Sequence, residues 1–243
     1  LARRIVLRSP SCRLNADEAY LGIESFEVLV GRFPIVLGGT VYTAVFEAYL
    51  FAPWVALVGA GILPLKLVAM TFWAIASVAI AVAAHRIVCR GDTMRSARAA
   101  RLTALIAGGV AWVAPGALLT VSTNAYASYA SGMAVTAVAF LAARRVVDTD
   151  DPDRLTPFGL GVLAGAGFWM HPMFLSTLVP MLLVVVVRHR RSVRVWTWTT
   201  VGGLVGCGPL LLWNAVNSWP SLTSPVEVEG SYGERLSTFL VDL

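Results

Sequence analysis

The sequence predicts an all-α membrane protein: a polytopic bundle of short transmembrane helices, with amphipathic juxtamembrane helices along its extracytoplasmic surface. Three observations carry this. Of the 243 residues, 57% are hydrophobic and only 14% are charged, against about 25% charged in a soluble domain, and the mean hydropathy is +0.73. The apolar residues gather in runs that can cross a hydrocarbon core of about 30 Å, which takes roughly 20 helical residues at 1.5 Å each. Arginines cluster in the short stretches between those runs, as they do in cytoplasmic loops. The net charge of +5 therefore marks loops facing the cytoplasm, and no nucleic-acid-binding module is indicated. Cys12, Cys89 and Cys207 are far apart and odd in number, with neither the pairing of a disulfide framework nor the spacing of a zinc site.

Residues 1–8 are basic and too short for a signal-peptide core. They read as the tail of a transmembrane helix, and the whole of 1–243 as one truncated membrane domain, a fragment. Residues 15–61 read as the first extracytoplasmic loop. Within it Tyr20, Leu21, Ile23, Phe26, Leu29 and Val30 alternate with Glu24, Ser25 and Glu27, and a second such stretch surrounds Glu47. Amphipathic helices lying on a membrane surface have this texture. Gly31, Pro34, Gly38 and Gly39 separate the two, giving helix, loop, helix. Asn15 or Asp17 is placed to cap the first.

Residues 62–216 are expected to hold about six short transmembrane helices. The first runs over 62–84, where Lys66 is near enough to the start to anchor at the interface. The second covers 102–121, with a kink at Pro115, and the third 130–143. Residues 158–187 are too long for one upright crossing and short for two full ones. The clusters Arg86 to Arg101, Arg144 to Arg154 and Arg188 to Arg194 all face the cytoplasm only if this stretch crosses twice, turning at His171 and Pro172. The last span is 195–216, and 217–243 begins a further extracytoplasmic segment. The chain is thus placed in the cell (inner) membrane as a multi-pass protein. The run Asp148, Asp150, Asp151, Asp153 reads as a solvated loop on the opposite side.

No Gly-x-Ser-x-Gly, P-loop or His-Glu-x-x-His pattern is present. The most informative residues are Asp17 and Glu18, an acidic pair beside lipid-adapted sequence, where a carboxylate is costly without work to do. On the same face lie His171, Asn124, Tyr126 and Tyr129, polar groups suited to a polar substrate. Their alternatives are structural: a histidine bonded at a turn and an aromatic belt at helix ends.

The order of motifs resembles the GT-C superfamily of membrane glycosyltransferases. The matching runs are Asp17-Glu18-Ala19-Tyr20-Leu21-Gly22, then Arg32-Phe33-Pro34, then Glu47-Ala48-Tyr49-Leu50 before Ala52-Pro53, and finally Gly165 through Trp169-Met170-His171-Pro172. The branch most similar comprises bacterial relatives of protein O-mannosyltransferases. The resemblance implies transfer of a sugar, such as mannose, from a polyprenyl-phosphate donor to an acceptor at the outer membrane face. It implies inversion with Asp17 as the catalytic base and Glu18 as its neighbour, and substrate binding at Glu47, Arg32, Lys66, Asn124, Tyr126, Tyr129 and His171. Arg32 and Lys66 are the cations available to a leaving lipid phosphate. The resemblance leaves room for a divalent metal ion as cofactor, held by Asp17 if by any residue, although spacing shows no second strong oxygen ligand. The second outer loop carries no acidic residue, where many relatives have one. The competing class is a transporter or flippase of a lipid-linked or small polar substrate, which calls for polar groups near the middle of the spans.

Overall fold

The computed structural model describes residues 14–59, 61–89, 94–113, 116–126 and 128–223. The helix tail expected at residues 1–8, the kink expected at Pro115 and most of the extracytoplasmic segment expected at 217–243 lie outside the described residues. The described residues are helical apart from turns and one isolated bridge between Val36 and Ala44.

Helix α1 (Ala16–Leu29) begins with a reciprocal capping box. The Asn15 side chain accepts from the Glu18 amide at 2.8 Å, and Glu18 accepts from the Asn15 amide at 3.2 Å. Two otherwise orphaned N–H groups are thereby satisfied. The loop that follows reverses through Gly31 and Gly39, at φ of 83° and 82°, a conformation that glycine enters without a Cβ penalty. It leads into α2 (Phe46–Val58), which packs against α1. The loop is fixed by partners distant in sequence: Tyr49 Oη donates to Pro34 O at 2.6 Å, Trp169 Nε1 to Ile35 O at 3.2 Å, and Ala44 N to Met170 O at 3.2 Å. At 13 residues α2 spans only about 20 Å, too short to cross a bilayer core.

Next come α3 (Ile62–Val88), α4 (Met94–Val113), α5 (Gly116–Thr123) and α6 (Tyr129–Asp148). They are followed by α7 (Leu155–Met170), a 3-10 turn (Pro172–Phe174), α8 (Leu175–Arg188), α9 (Val193–Gly206), α10 (Gly208–Val216) and the short α11 (Pro220–Thr223). The turn expected at His171 and Pro172 is where α7 ends, because proline has no N–H to continue a helix and excludes the α conformation from the residue before it. The last expected span is not straight: α9 and α10 meet at a 57° bend beside Cys207. Two helices, α3 and α6, are long and apolar enough to cross a membrane, or three spans if the bent pair counts as one. The expected six are thus not all reached by length and composition, since α7 and the stretch Pro172–Arg188 are shorter apolar helices. On α4, Leu102, Leu105, Ile106, Val110 and Val113 are all exposed, a stripe at helical spacing that suits a lipid environment.

Helix packing relies on small residues. Gly161 and Gly165 of α7 face Gly202 and Gly206 of α9, each pair four residues apart. A Cβ on any of the four would stand 2.1 or 2.2 Å from a carbonyl oxygen of the other helix. The two backbones therefore touch, the close approach that Gly-x-x-x-Gly patterns permit in membranes. Gly132 of α6 leaves room for the Phe174 ring, which a Cβ would meet at 1.9 Å. The loop after α6 is solvated as expected, but it is also clasped: Asp150 pairs with Arg188, Asp151 with Arg194, and Asp148 with Arg144 at 2.9 Å.

Candidate functional site

The first turn of α1, the first turns of α3 and the segment after α5 converge on Glu18. Its side chain is fully buried, and so is that of Lys66, at 0% and 1% exposure. Lys66 Nζ lies 2.9 Å from Glu18 Oε1 and 2.8 Å from Oε2, and it also donates to Asn124 Oδ1. The Ala125 amide donates to Glu18 Oε1 at 3.0 Å, and the Asn15 amide donates to Oε2. The carboxylate thus takes three donors from three parts of the chain. Burial of two charges is costly unless they are paired and their remaining valences are met, and here both conditions hold.

Lys66 is therefore not the interfacial anchor its position suggested. The buried carboxylate opposite it holds the ammonium inside, and its charge is already committed to Glu18 rather than open to a lipid phosphate. Arg32 is separate from this cluster: it is 74% exposed, pairs with Glu27 at 2.8 Å, and follows the far end of α1, about 18 Å along the helix axis from Asp17. Asp17, in contrast with Glu18, is half-exposed and enters no ion pair among the described residues. The acidic pair is thus split by the helix: one carboxylate inward and bound, its neighbour outward.

Glu47, at the start of α2, is also fully buried. Its Oε1 accepts weakly from the Ser131 amide at 3.4 Å, and its Oε2 has no hydrogen-bond partner among the described residues. Burial pushes the carboxyl up to about 7, the Ser131 and Ser128 groups pull it down, and the nearby Glu18 charge adds to the rise. Glu47 therefore keeps its proton in mildly acidic conditions, where an ordinary carboxyl is ionised, and loses it around neutrality. A second orphan at this end is Asn15 Nδ2. A buried donor and a buried acceptor that have no partner among the described residues, both near Glu18, are the kind of polar groups that a ligand or water completes.

His171 sits between two tyrosines, stacked on Tyr129 with ring centres 5.4 Å apart and edge-on to Tyr42 at 5.5 Å. Its Nδ1 accepts from the Met173 amide at 3.1 Å, so the neutral ring carries its proton on Nε2, and burial lowers its pKa. Tyr129 opens α6 directly after Ser128, which holds φ 64° and donates to Ala44 O at 2.8 Å. Tyr126 is half-buried next to Ala125.

The structure accordingly brings together Glu18, Lys66 and Asn124 in one cluster, and His171 with Tyr129 in another on the adjoining loop. The sequence did not disclose Ser131, Tyr42 or the Ala125 amide. The Lys66–Glu18 partnership was missed as well, since Lys66 was expected to anchor at the interface; a lysine inside an apolar helix, which calls for a buried acid, is the signal that could have found it. Among the described residues, no group of three or more His, Cys, Asp or Glu side chains converges as a metal site, and the Glu18 oxygens are occupied by donors, so the residues present do not fit a metal ion there.

What fold and site define is an all-helical chain with membrane-length apolar helices and a buried ion pair that ties three segments together at one end. Compared with protein-family models, curated protein sequences and solved structures, the chain has no match.

Proposed function

We propose that the chain is the membrane domain of a glycosyltransferase that moves a sugar from a polyprenyl-phosphate donor to a hydroxyl acceptor at the outer membrane face, with Asp17 as base. The observation that carries this reading is the division of labour in the acidic pair. Glu18 is saturated by the Lys66 ammonium and two backbone amides, so it has no lone pair to spare for a proton in flight. Asp17, one residue earlier and half-exposed, is held by that anchor on the first turn of α1 and is free to act.

In the step itself, the acceptor oxygen forms a bond to the anomeric carbon as the bond from that carbon to the phosphate oxygen breaks. The acceptor proton passes to Asp17, and the bonding pair leaves with the lipid phosphate. A hydroxyl is far too weak an acid to ionise unaided near neutrality, and a positioned base contributes about 10²- to 10⁴-fold. One displacement inverts the centre and requires one carboxylate, unlike glycoside hydrolysis with its pair. Glu18 is a positioning residue on this account. The neutral His171, flanked by Tyr129 and Tyr42, supplies aromatic faces of the kind that sugars meet, with the Nε2 proton available as a donor.

The test is transfer from a polyprenyl-phosphate sugar, mannose first, in membranes carrying the protein. Asp17→Asn is expected to lower turnover at least a hundredfold with unchanged thermal stability, while Glu18→Gln lowers both. Undiminished transfer in Asp17→Asn, or sugar uptake into vesicles with no transfer, defeats the proposal, and the latter outcome favours a transporter.

A further inference from the structure

A cleft runs between α3 and α6 near their C-terminal ends, away from Glu18. The two helices run in the same direction, and their facing residues rise together, 79–87 on one and 137–149 on the other. The upper part of the cleft, about 320 Å³, is walled by Ala79, Ile80, Ala83, Ala137 and Phe140. Alanines at three of these positions keep the facing surfaces hollow. The lower part, about 220 Å³, shares Ala83, Ile87 and Phe140 with the upper and adds Arg86, Arg144 and Arg145 with Asp148.

The charges at this lower end are not balanced. Arg144 is matched by Asp148 through two contacts of 2.9 Å. Arg86 and Arg145 are exposed and enter no ion pair among the described residues. Asp153, which feels the Arg145 charge, commits its carboxylate to the Thr156 amide at 2.7 Å. Among the described residues, two guanidinium groups therefore stand uncommitted at the mouth of an apolar channel, and arginine's fork of donors matches a phosphate bidentately.

We propose that this cleft binds an anionic phospholipid, with its phosphate on Arg86 and Arg145 and one acyl chain along the alanine-lined channel. Both halves of the cleft are needed for this assignment. A free phosphate gains nothing from the apolar channel, and a zwitterionic lipid brings a cation of its own to a site already positive by two. The α3 axis places Arg86 about 30 Å from Lys66, twenty residues at 1.5 Å each. The lipid therefore occupies the opposite leaflet from the Glu18 cluster, and its binding is independent of any sugar transfer.

The experiment is native mass spectrometry of the intact protein released from bilayers of phosphatidylglycerol and phosphatidylcholine in equal amounts. The unaltered protein is expected to retain phosphatidylglycerol selectively, and millimolar inorganic phosphate is expected not to displace it. Retention should weaken roughly fivefold for each of Arg86→Gln and Arg145→Gln. Ala83→Trp fills the channel without changing charge and should also abolish retention, so the assignment does not rest on the arginine variants alone. A control that removes two cations elsewhere, Arg190→Gln with Arg191→Gln, should retain the lipid as the unaltered protein does. Equal retention of both lipids, displacement by inorganic phosphate, full retention in the arginine or Ala83→Trp variants, or loss in the control would each overturn the proposal.

Discussion

Lys66 Nζ lies 2.8 Å from Glu18 Oε2 with both side chains out of contact with solvent, so the start of α3 is locked to the start of α1. Removing one partner leaves the other charge buried and uncompensated, at a cost of about 3–5 kcal/mol. Lys66→Met and Glu18→Gln are each expected to lower the melting temperature in detergent sharply. The double variant should be more stable than Lys66→Met alone, because no unpaired charge then remains. A double variant that melts at the sum of the single losses would show that the two side chains do not act as a pair.

Glu47 makes stability depend on pH. Its carboxyl is held at about 7 in the fold against an ordinary value of 4.5, so between those values the folded chain keeps a proton that the unfolded chain has lost. The stability present in full below about pH 4.5 therefore falls as pH rises through about 7, by roughly 3 kcal/mol in all. Glu47→Gln, which is neutral at every pH, should flatten this dependence and melt higher than the unaltered protein at pH 8. Parallel melting curves against pH for the two proteins would contradict the burial of an ionisable acid there.

Contact between α7 and α9 is backbone to backbone. In Gly165→Ala the new methyl stands 2.2 Å from Gly203 O, and in Gly206→Ala it stands 2.1 Å from Val162 O, so the helices must separate. Overpacking of this kind costs about 1–3 kcal/mol or more. Gly159→Ala, where a Cβ meets nothing within 4 Å, is expected to be neutral or to stabilise the helix by up to about 1 kcal/mol. Thermal unfolding of the three variants should rank them in that way.

Cys89 is exposed just past the end of α3, about 30 Å or more along the helix from Lys66. In a background of Cys12→Ser and Cys207→Ser, a membrane-impermeant maleimide should label Cys89 in inverted vesicles and not in intact cells. Labelling in intact cells would reverse the orientation that the arginine clusters indicate and move the acidic pair to the cytoplasm.

Much of the helix order was legible because single residues punctuate it. Asn15 caps α1 through a side chain three residues from the group it binds, and Pro172 stops α7 by its own covalent structure. Both are local effects, and local effects are written in adjacent residues. The bend beside Cys207, where one continuous span was expected, is also written locally: Gly206, Gly208 and Pro209 flank it, and a proline in the first turn of α10 cannot carry the α9 hydrogen-bond ladder onward. The candidate site was half legible in the same way. Asp17 and Glu18 stood out as charges beside lipid-adapted sequence, but which of them turns inward depends on the α1 register against Lys66, and Lys66 is 48 residues away. Glu47 appeared as one acid among several, and its burial follows from packing against Ser131, 84 residues later.

The ties of the loop between α1 and α2 also set an order of assembly. Ile35 and Ala44 find their partners in Trp169 and Met170, and Glu18 receives its last donor from Ala125, 107 residues further on. A ribosome adding about 5–20 residues each second takes some seven to thirty seconds to reach Trp169 from Ile35. For that interval the loop has nothing to close against, and Glu18 must keep its water until Lys66 and Ala125 arrive. Glu18 is thus made well before the residues that enclose it, and its burial waits on segments far along the chain.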